Sequence, residues 1–284
     1  FGETKTNAKG EFDITFSAIP DETVSKESLP IFRYLVTADI TDINGETRTA
    51  TTTVNVGYHA MTLKVSAPDL IDTSIQEIAL NLTSKNLNGE FSPTKGTLKI
   101  YKLNAPASVL RIRPWEAPDY QVIPQAEFKT LFPHDAYNNE DALTNWKKGT
   151  EVFSINFDTE KDKIITLKKL KKWNSGKYII VAESKDKFNQ EVKDETFTLL
   201  FSTKDKTIAD QQLFEAQLDK ASYKTGDIAK LTMGSAAKDL SVTVDIEKNN
   251  KIIETQIIIL NNSKESINIP VLKGDLGGFV VHCS

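Results

Sequence analysis

The chain has 284 residues, 39% of them hydrophobic and 26% charged, which is ordinary globular composition and too apolar for a disordered chain. Its net charge of −4 gives no electrostatic case for binding nucleic acid or an anionic membrane. The single cysteine, Cys283, cannot close a disulfide within the chain and excludes a multi-cysteine zinc site. At about 150 residues per domain, the length predicts two or three domains.

Apolar and polar residues alternate with a period of two through most of the chain, which is typical of strands that bury one face. The first predicted strand is Glu11–Ile19, with Phe12 and Phe16 on its apolar face. The next two, Phe32–Ile40 and Thr47–Val56, flank an Asn-Gly pair. Asn-Gly between strands is the strongest short hairpin signal, because a tight turn needs positive φ angles.

Strands continue to dominate to the end of the chain. The further predicted strands are Met61–Val65, Ile75–Leu82, Thr97–Leu103, Glu151–Phe157, Lys163–Leu167, Tyr178–Glu183, Glu195–Phe201, Leu213–Leu218, Ile228–Met233, Leu240–Glu247, Ile252–Leu260, Ser266–Ile269 and Phe279–Cys283. Helices are predicted only at Gln125–Phe132 and Glu140–Trp146. The pattern therefore predicts an all-β fold of immunoglobulin-like antiparallel β-sandwiches, with one aromatic-rich, partly helical insertion.

An internal repeat indicates how these strands are grouped. Arg33–Ala38 (R-Y-L-V-T-A) recurs as Lys177–Ala182 (K-Y-I-I-V-A), and Asp42 then aligns with Asp186. A weaker third copy is Phe279–Cys283, which places Cys283 on a core-face position held by alanine in the other copies. A repeat of this kind predicts a tandem array of sandwiches, each ending in a hairpin that carries an aromatic residue into the core.

The repeat also predicts the domain boundaries. Residues 1–57 form the C-terminal half of a sandwich, residues 58–202 a complete sandwich with an insertion at about 105–149, and residues 211–284 a third sandwich truncated at its C-terminus. Gly57-Tyr58-His59 joins the first two, and the polar segment Ser202–Asp210 is a linker. We expect both ends to continue into a longer protein, so the missing signal peptide says nothing of the compartment.

Candidate chemistry is sparse. The acidic segment Asp39–Glu46 fits a hairpin turn better than a calcium loop, because an EF-hand pattern would place its first oxygen ligand at Ile40. His134, with Asp135, Glu140 and Asp141 nearby, allows a metal or binding site, but an insertion that packs its aromatics on the sandwich and displays its acids to water explains the segment better. No nucleophile, phosphate-loop or zinc-protease motif occurs. We predict no catalytic, cofactor-binding or metal-binding residue, no cofactor and no enzymatic activity.

Three stretches resemble the bacterial α2-macroglobulin family. Asp219–Leu231 (D-K-A-S-Y-K-T-G-D-I-A-K-L) is similar to the opening of a macroglobulin domain, and Gly2–Phe12 followed by Tyr34–Thr47 resembles the later half of one. Arg113–Asp119 (R-P-W-E-A-P-D) with Leu131–Tyr137 (L-F-P-H-D-A-Y) is similar to an insertion of Bacteroidetes-type members. The resemblance implies macroglobulin-like sandwiches.

For function, the resemblance implies a structural segment of a large protease-trapping inhibitor, periplasmic or extracellular and membrane-anchored through a missing N-terminal region. The implied partners are target proteases, through the full-length protein, and neighbouring domains of the same chain; nucleic acid and membrane contact are not expected. The family's thioester motif is absent from these residues, since Ser284 follows the only cysteine. The alternative is a cell-surface immunoglobulin-like module that binds glycans or partner proteins, with Trp115, Tyr120 and Trp146 as an aromatic platform.

Overall fold

The computed structural model describes residues 2–284. About 48% of the chain is strand and 7% is helix, and the strands form several antiparallel sheets, so the predicted all-β sandwich fold is confirmed. No helix among the described residues is long and apolar enough to cross a bilayer.

Residues 2–57, the N-terminal hairpin region, contain a single pair of strands. β1 (Ile31–Thr41) and β2 (Thr47–Gly57) run antiparallel and are in register over their whole length. The predicted strand Glu11–Ile19 is wrong, because this segment makes no strand pairing. It lies against the face of β1 instead, where the Tyr34 hydroxyl donates to the Ile19 carbonyl at 2.7 Å and the Phe16 ring lies 5.5 Å from the Tyr34 ring. Alternation identifies the apolar face of a segment and cannot identify a neighbour for its backbone.

Four tight turns share one hydrogen-bonding pattern. The side-chain Oδ1 of the first residue accepts from the backbone N–H of the third and fifth residues, and the fourth residue has a positive φ. The turns are Asn7–Glu11, Asp42–Glu46, Asn86–Glu90 and Asp186–Gln190. Asp42 and Asp186 therefore hold equivalent places, and the acidic Asp42 segment is a hairpin turn.

The strands between residues 61 and 201 form two facing sheets, here called the central sandwich. One has the strand order β3 (Met61–Ser66), β5 (Glu77–Asn86), β8 (Ile164–Lys168). The other has the order β4 (Leu70–Asp72), β10 (Glu191–Phe201), β9 (Gly176–Lys185), β6 (Lys95–Asn104), β7 (Lys147–Asp158). The short β4 was not predicted, and it pairs parallel with β10.

Tyr178 lies at the centre of this sandwich. It is 1% exposed, its ring stacks on Trp173 at 5.7 Å, and its hydroxyl donates to the carbonyl of Asn174 at 2.7 Å. A buried tyrosine that bonds a backbone carbonyl a few residues upstream is the tyrosine corner of immunoglobulin-like sandwiches. Burial, with the nearby Asp210 carboxylate, raises the pKa of Tyr178 to about 12. The aromatic core position predicted from the repeat is therefore confirmed for Tyr178, whereas Tyr34, the corresponding aromatic of the first copy, is not buried.

The strands between residues 215 and 283 form two three-stranded sheets, here called the C-terminal sandwich. Their orders are β11 (Glu215–Leu218), β12 (Ile228–Ser235), β15 (Ser263–Pro270) and β14 (Lys251–Leu260), β13 (Leu240–Lys248), β16 (Val280–Cys283). Their shared core includes the fully buried Met233 and Val244. Cys283 packs against this core with its Sγ 4.0 Å from the Met233 sulfur, as the repeat predicts, and burial raises the pKa of its thiol.

Residues 105–146, the insertion, join β6 to β7 and contain one α-helix, α1 (Gln125–Leu131). The second predicted helix, Glu140–Trp146, is wrong, since only a three-residue 3₁₀ turn forms at Leu143–Asn145. The carbonyl of Glu140 accepts from the Trp146 indole N–H at 2.8 Å, and the carbonyl of Asn139 accepts from the Asn145 side chain at 2.9 Å. These side-chain bonds take carbonyls that a helix would need.

Candidate functional site

Arg113 organises the insertion. Its guanidinium donates to the backbone carbonyls of Ala136 and Asn138 and lies 3.6 Å from the carboxylate of Asp141. The Arg113 and Asp141 side chains are only 11% and 13% exposed. A largely buried cation bonded to these carbonyls holds separate segments of the insertion together, so this long connection has a defined structure of its own.

The aromatic residues of the insertion divide into a packed group and an exposed group. Phe128 packs against Phe132 and Tyr137, each at 5.2 Å between ring centroids, and the Tyr137 hydroxyl donates to the carbonyl of Ile123 at 2.9 Å. Trp115 and Tyr120 are 63% and 79% exposed. The prediction that the insertion packs its aromatic residues therefore holds for only some of them.

Trp146 lies against the outer face of the β9–β6 sheet. Leu103, Ile179 and Val181 on that face are 2–4% exposed, and Trp146, Tyr101 and Phe197 pack against them. This sheet consequently buries apolar residues on both of its faces. A sheet of an antiparallel sandwich ordinarily buries them on one face only. The C-terminal end of the insertion thus contributes to a second, smaller core.

An open cavity of about 520 Å³ lies beside Trp146, between the end of β6 and the returning part of the insertion. Its lining residues are Asn104, Ala105, Pro106, Asn138, Asn139, Glu140, Asn145, Trp146 and Lys147. An indole together with four carboxamides is the chemistry that binds a neutral, hydroxyl-rich ligand by stacking and hydrogen bonds. Trp115 and Tyr120 do not line this cavity, so the three predicted aromatic residues do not form one platform.

The residues considered for a metal site are each bound elsewhere. His134 Nδ1 lies 2.9 Å from the Val109 carbonyl, and the Asp135 carboxylate pairs with Arg111. Glu140 accepts from the backbone N–H of Asn138 at 2.7 Å. Within residues 2–284, no group of three or more His, Cys, Asp or Glu side chains is arranged to hold a metal ion. The metal site considered around His134 is therefore not assembled among these residues.

The junction between the two sandwiches is packed. Asp210, whose side chain is 6% exposed, accepts from Lys102 Nζ at 2.6 Å and from the backbone N–H of Lys177. Ile208 is buried against Gly234. Gly176 has a φ of 129°, and a Cβ there would meet the Asp210 carboxylate. The segment predicted as a polar linker is thus an ordered part of the contact between the two sandwiches.

His59 occupies the junction between the N-terminal hairpin region and the central sandwich. It is 5% exposed, and its buried Nδ1 has no hydrogen-bond partner among the described residues. Burial lowers the pKa of His59, although the nearby Asp186 carboxylate opposes this shift. For Asp186 itself, burial is outweighed by donation from the backbone N–H groups of Ala60, Gln190 and Phe188, so its pKa is lowered.

The chain enters and leaves the central sandwich at opposite ends. At entry, the Ala60 N–H donates to Asp186, in the turn that precedes β10, at 2.6 Å. At exit, the last residue of β10, Phe201, accepts from the N–H of Thr73 at 2.9 Å. The 11 residues of β10 separate these points, a length of about 35 Å. A sandwich threaded in this way places its two neighbours at opposite ends.

Comparisons with known proteins give similarity to solved structures only. No family model and no curated protein matches the sequence. The chain is similar to Salmonella α2-macroglobulin reacted with methylamine, at 13% identity and a TM-score of 0.30 over 86% of this chain and 14% of that one. It is similar to the native conformation of E. coli α2-macroglobulin, at 11% identity and a TM-score of 0.32 over 86% and 15%.

A tetra-tandem repeat in the extending region of a large adhesion protein is also similar, at 13% identity and a TM-score of 0.28 over 87% of this chain and 50% of that one. The chain spans about one seventh of the length of the two macroglobulins.

Proposed function

We propose that this chain is a structural segment of tandem β-sandwich modules, with boundaries at 1–57, 58–202 and 211–284, that holds other parts of a larger protein at a fixed separation. The observation that carries the proposal is its surface. The chain exposes 19263 Å², whereas a compact protein of 31.7 kDa exposes about 12,200 Å². The chain enters and leaves the central sandwich at opposite ends, so neighbouring modules cover little of its surface. The packed junction keeps the modules in a defined arrangement.

The titratable groups support a non-catalytic role. Lys102 with Asp210, and Arg113 with Asp141, connect segments of the fold to each other. Their charges are satisfied by structural partners, so these pairs hold backbone in place.

Small-angle X-ray scattering of the chain tests the spacer role. A compact chain of 284 residues has a radius of gyration of about 19 Å. Three modules arranged end to end, each about 35 Å long, give a radius of gyration above about 25 Å. A value near 19 Å would contradict the proposal.

We further propose that the larger protein is a bacterial macroglobulin-like protease inhibitor, periplasmic or extracellular. The support is the resemblance of Asp219–Leu231 and of the insertion residues Arg113–Asp119 and Leu131–Tyr137 to that family. The test is incubation of the parent protein with a protease, followed by assays with a small and a large substrate. A trapped protease keeps its activity on the small substrate and loses it on the large one; equal activity on both would contradict the inhibitor role.

A second candidate function, glycan binding, is favoured by the cavity beside Trp146. Trp146 and the Asn104 and Asn138 carboxamides line this cavity, whereas Trp115 stands away from it. A glycan array should then show binding that Trp146→Ala abolishes and that the matched control Trp115→Ala preserves. Loss of binding in both variants, or in neither, would reject this site.

A further inference from the structure

A small contact attaches the N-terminal hairpin region to the central sandwich. Near the end of β2, the backbone N–H of Asn55 donates to the Asn88 side chain at 3.0 Å, and the Asn55 side chain donates to the Leu87 carbonyl at 2.9 Å. The rings of Phe32 and Tyr58 meet edge to face, with their centroids 6.1 Å apart. No side chain of the hairpin region is buried, so a few surface contacts hold this region in place.

His59 lies inside this contact. It is 5% exposed, and its Nδ1 is buried with no hydrogen-bond partner among the described residues. A Cβ placed on Gly57 would lie 3.3 Å from this Nδ1, 3.1 Å from the Leu87 side chain and 3.0 Å from the Pro30 carbonyl. The buried nitrogen therefore lies where the hairpin region meets the sandwich, and both parts keep water away from it.

The junction suits a neutral His59 ring and not a charged one. A neutral imidazole carries a proton on only one of its nitrogens, so its Nδ1 can stand there without being a donor. An imidazolium has an N–H group on both nitrogens, so Nδ1 would need an acceptor, and no described residue supplies one. A buried donor of a charged group that lacks an acceptor costs more free energy than an unpaired neutral group.

The Asp186 carboxylate, in the turn between β9 and β10, only partly offsets this cost. Its oxygens accept from the backbone N–H groups of Ala60, Phe188 and Gln190, so they are already engaged. Its charge favours a proton on His59, but burial has the larger effect and lowers the pKa of His59. A proton therefore binds His59 more weakly in the closed junction than in water.

The charged side chains that flank the junction are exposed to water. They are Lys26 and Arg33 in the hairpin region, Glu90 in the turn between β5 and β6, and Lys187 beside Asp186. Lys26 Nζ lies 5.1 Å from the centre of the Tyr58 ring. These four groups make no hydrogen bond to the His59 ring, so a proton at Nδ1 gains no partner from them.

We propose that this junction is an acid-sensitive joint, in which protonation of His59 releases the N-terminal hairpin region from the central sandwich. When the hairpin region moves away, water reaches Nδ1 and hydrates the imidazolium, which removes the cost of the unpaired donor. The small contact has few other interactions to oppose this release. The joint goes beyond the spacer role, because it would hold the first module at a fixed angle only near neutral pH.

The direction of the pH dependence follows from proton linkage. The contact is complete above about pH 6.5, the ordinary pKa of histidine, and weakens as the pH falls toward the lower pKa of the docked state. Because release takes up one proton, the docking equilibrium constant should fall by at most about tenfold for each pH unit.

Fluorescence energy transfer across the joint tests the release. In a Cys283→Ala background, Ile43→Cys and Glu160→Cys place dyes at the exposed tip of the β1–β2 hairpin and at the exposed turn after β7. We expect a single transfer efficiency between pH 8 and pH 7, and a second, broader population that grows below about pH 6.5. His59→Gln stays neutral and should keep the single population down to pH 5. His282→Gln is the matched control and should release as the natural chain does.

Proton NMR of the histidine rings connects the release to His59. The chain has three histidines, so the spectra of His134→Gln and His282→Gln assign all three signals. In the natural chain, the His59 signal should titrate with the same midpoint as the release. This comparison needs no His59 variant, so it decides the question even if His59→Gln fails to dock at pH 8.

Circular dichroism separates release of the hairpin region from unfolding of the sandwiches, and the strand signal should be unchanged at pH 5. A natural chain that keeps one transfer efficiency down to pH 5 would overturn the proposal. Release at a pH where His59 does not titrate, unchanged release in a His59→Gln variant that docks normally, or loss of the strand signal along with release would overturn it equally.

Discussion

Lys102 Nζ lies 2.6 Å from Oδ1 of Asp210, and this ion pair joins the C-terminal end of β6 to the segment that leads into the C-terminal sandwich. The Asp210 side chain is 6% exposed and that of Lys102 is 21% exposed. Asp210 also accepts from the backbone N–H of Lys177 in the neighbouring strand β9. One carboxylate therefore connects two strands of the central sandwich to the junction.

Removing this carboxylate should destabilise the central sandwich. Asp210→Ala leaves a largely buried ammonium group and a backbone N–H without their partner, which costs about 3 kcal/mol. Urea unfolding followed by tryptophan fluorescence measures the change, because Trp115, Trp146 and Trp173 all lie in residues 58–202. Glu77→Ala is the matched control, since it breaks an ion pair exposed on both sides and should cost less than about 1 kcal/mol. Equal effects of the two substitutions would contradict a structural role for Asp210.

Truncation of Tyr178 should have a larger effect. Tyr178→Ala removes a fully buried ring from the central core and should lower the free energy of unfolding by about 3–5 kcal/mol. Tyr178→Phe keeps the ring and removes only the bond to Asn174, so it should cost about 1 kcal/mol. The same fluorescence measurement checks both. A loss below about 1 kcal/mol for the alanine variant would mean that the ring does not support the core.

The stability of the central sandwich should fall as the pH drops below 7. Burial lowers the pKa of His59, so the unfolded chain takes up a proton that the folded chain excludes. The stability is complete above the usual histidine pKa of about 6.5 and is lost as the pH falls toward the lower folded value. His59→Gln should flatten this slope between pH 7 and pH 5. His282→Gln, in the C-terminal sandwich, is the control, and an unchanged slope in His59→Gln would refute the assignment.

The N-terminal hairpin region should be the least protected part of the chain in hydrogen exchange. None of residues 2–58 is buried, whereas β9 contains a run of buried residues from Tyr178 to Ala182. Each aliphatic side chain left unburied lowers the free energy of local opening by about 1.5 kcal/mol. With two such side chains unburied, we expect amide exchange about 100 times faster in β1 and β2 than in β6 and β9. Mass spectrometry of peptides from each strand measures the ratio. Similar protection in all four strands would contradict this prediction.

Most of the strands and the hairpin turn at Asp42–Glu46 could be predicted from the sequence, since both signals are local. A residue with a carboxamide or carboxylate followed three positions later by Gly or Asn forms its turn through contacts within five residues. Alternation likewise reports which side chains share a face. It failed at Glu11–Ile19, where the face is apolar but the backbone pairs with no strand. It also missed β4, which pairs with a strand about 130 residues away.

The sequence by itself therefore determined the all-β class, the core position of Tyr178 and the equivalence of Asp42 with Asp186. Only the tertiary structure decided the junction between Lys102 and Asp210, the cavity beside Trp146 and the burial of the His59 Nδ1. The physical reason is the range of the interactions. Turn and strand preferences arise between neighbouring residues, whereas buried ion pairs, cavities and module junctions depend on which distant segments the fold brings together.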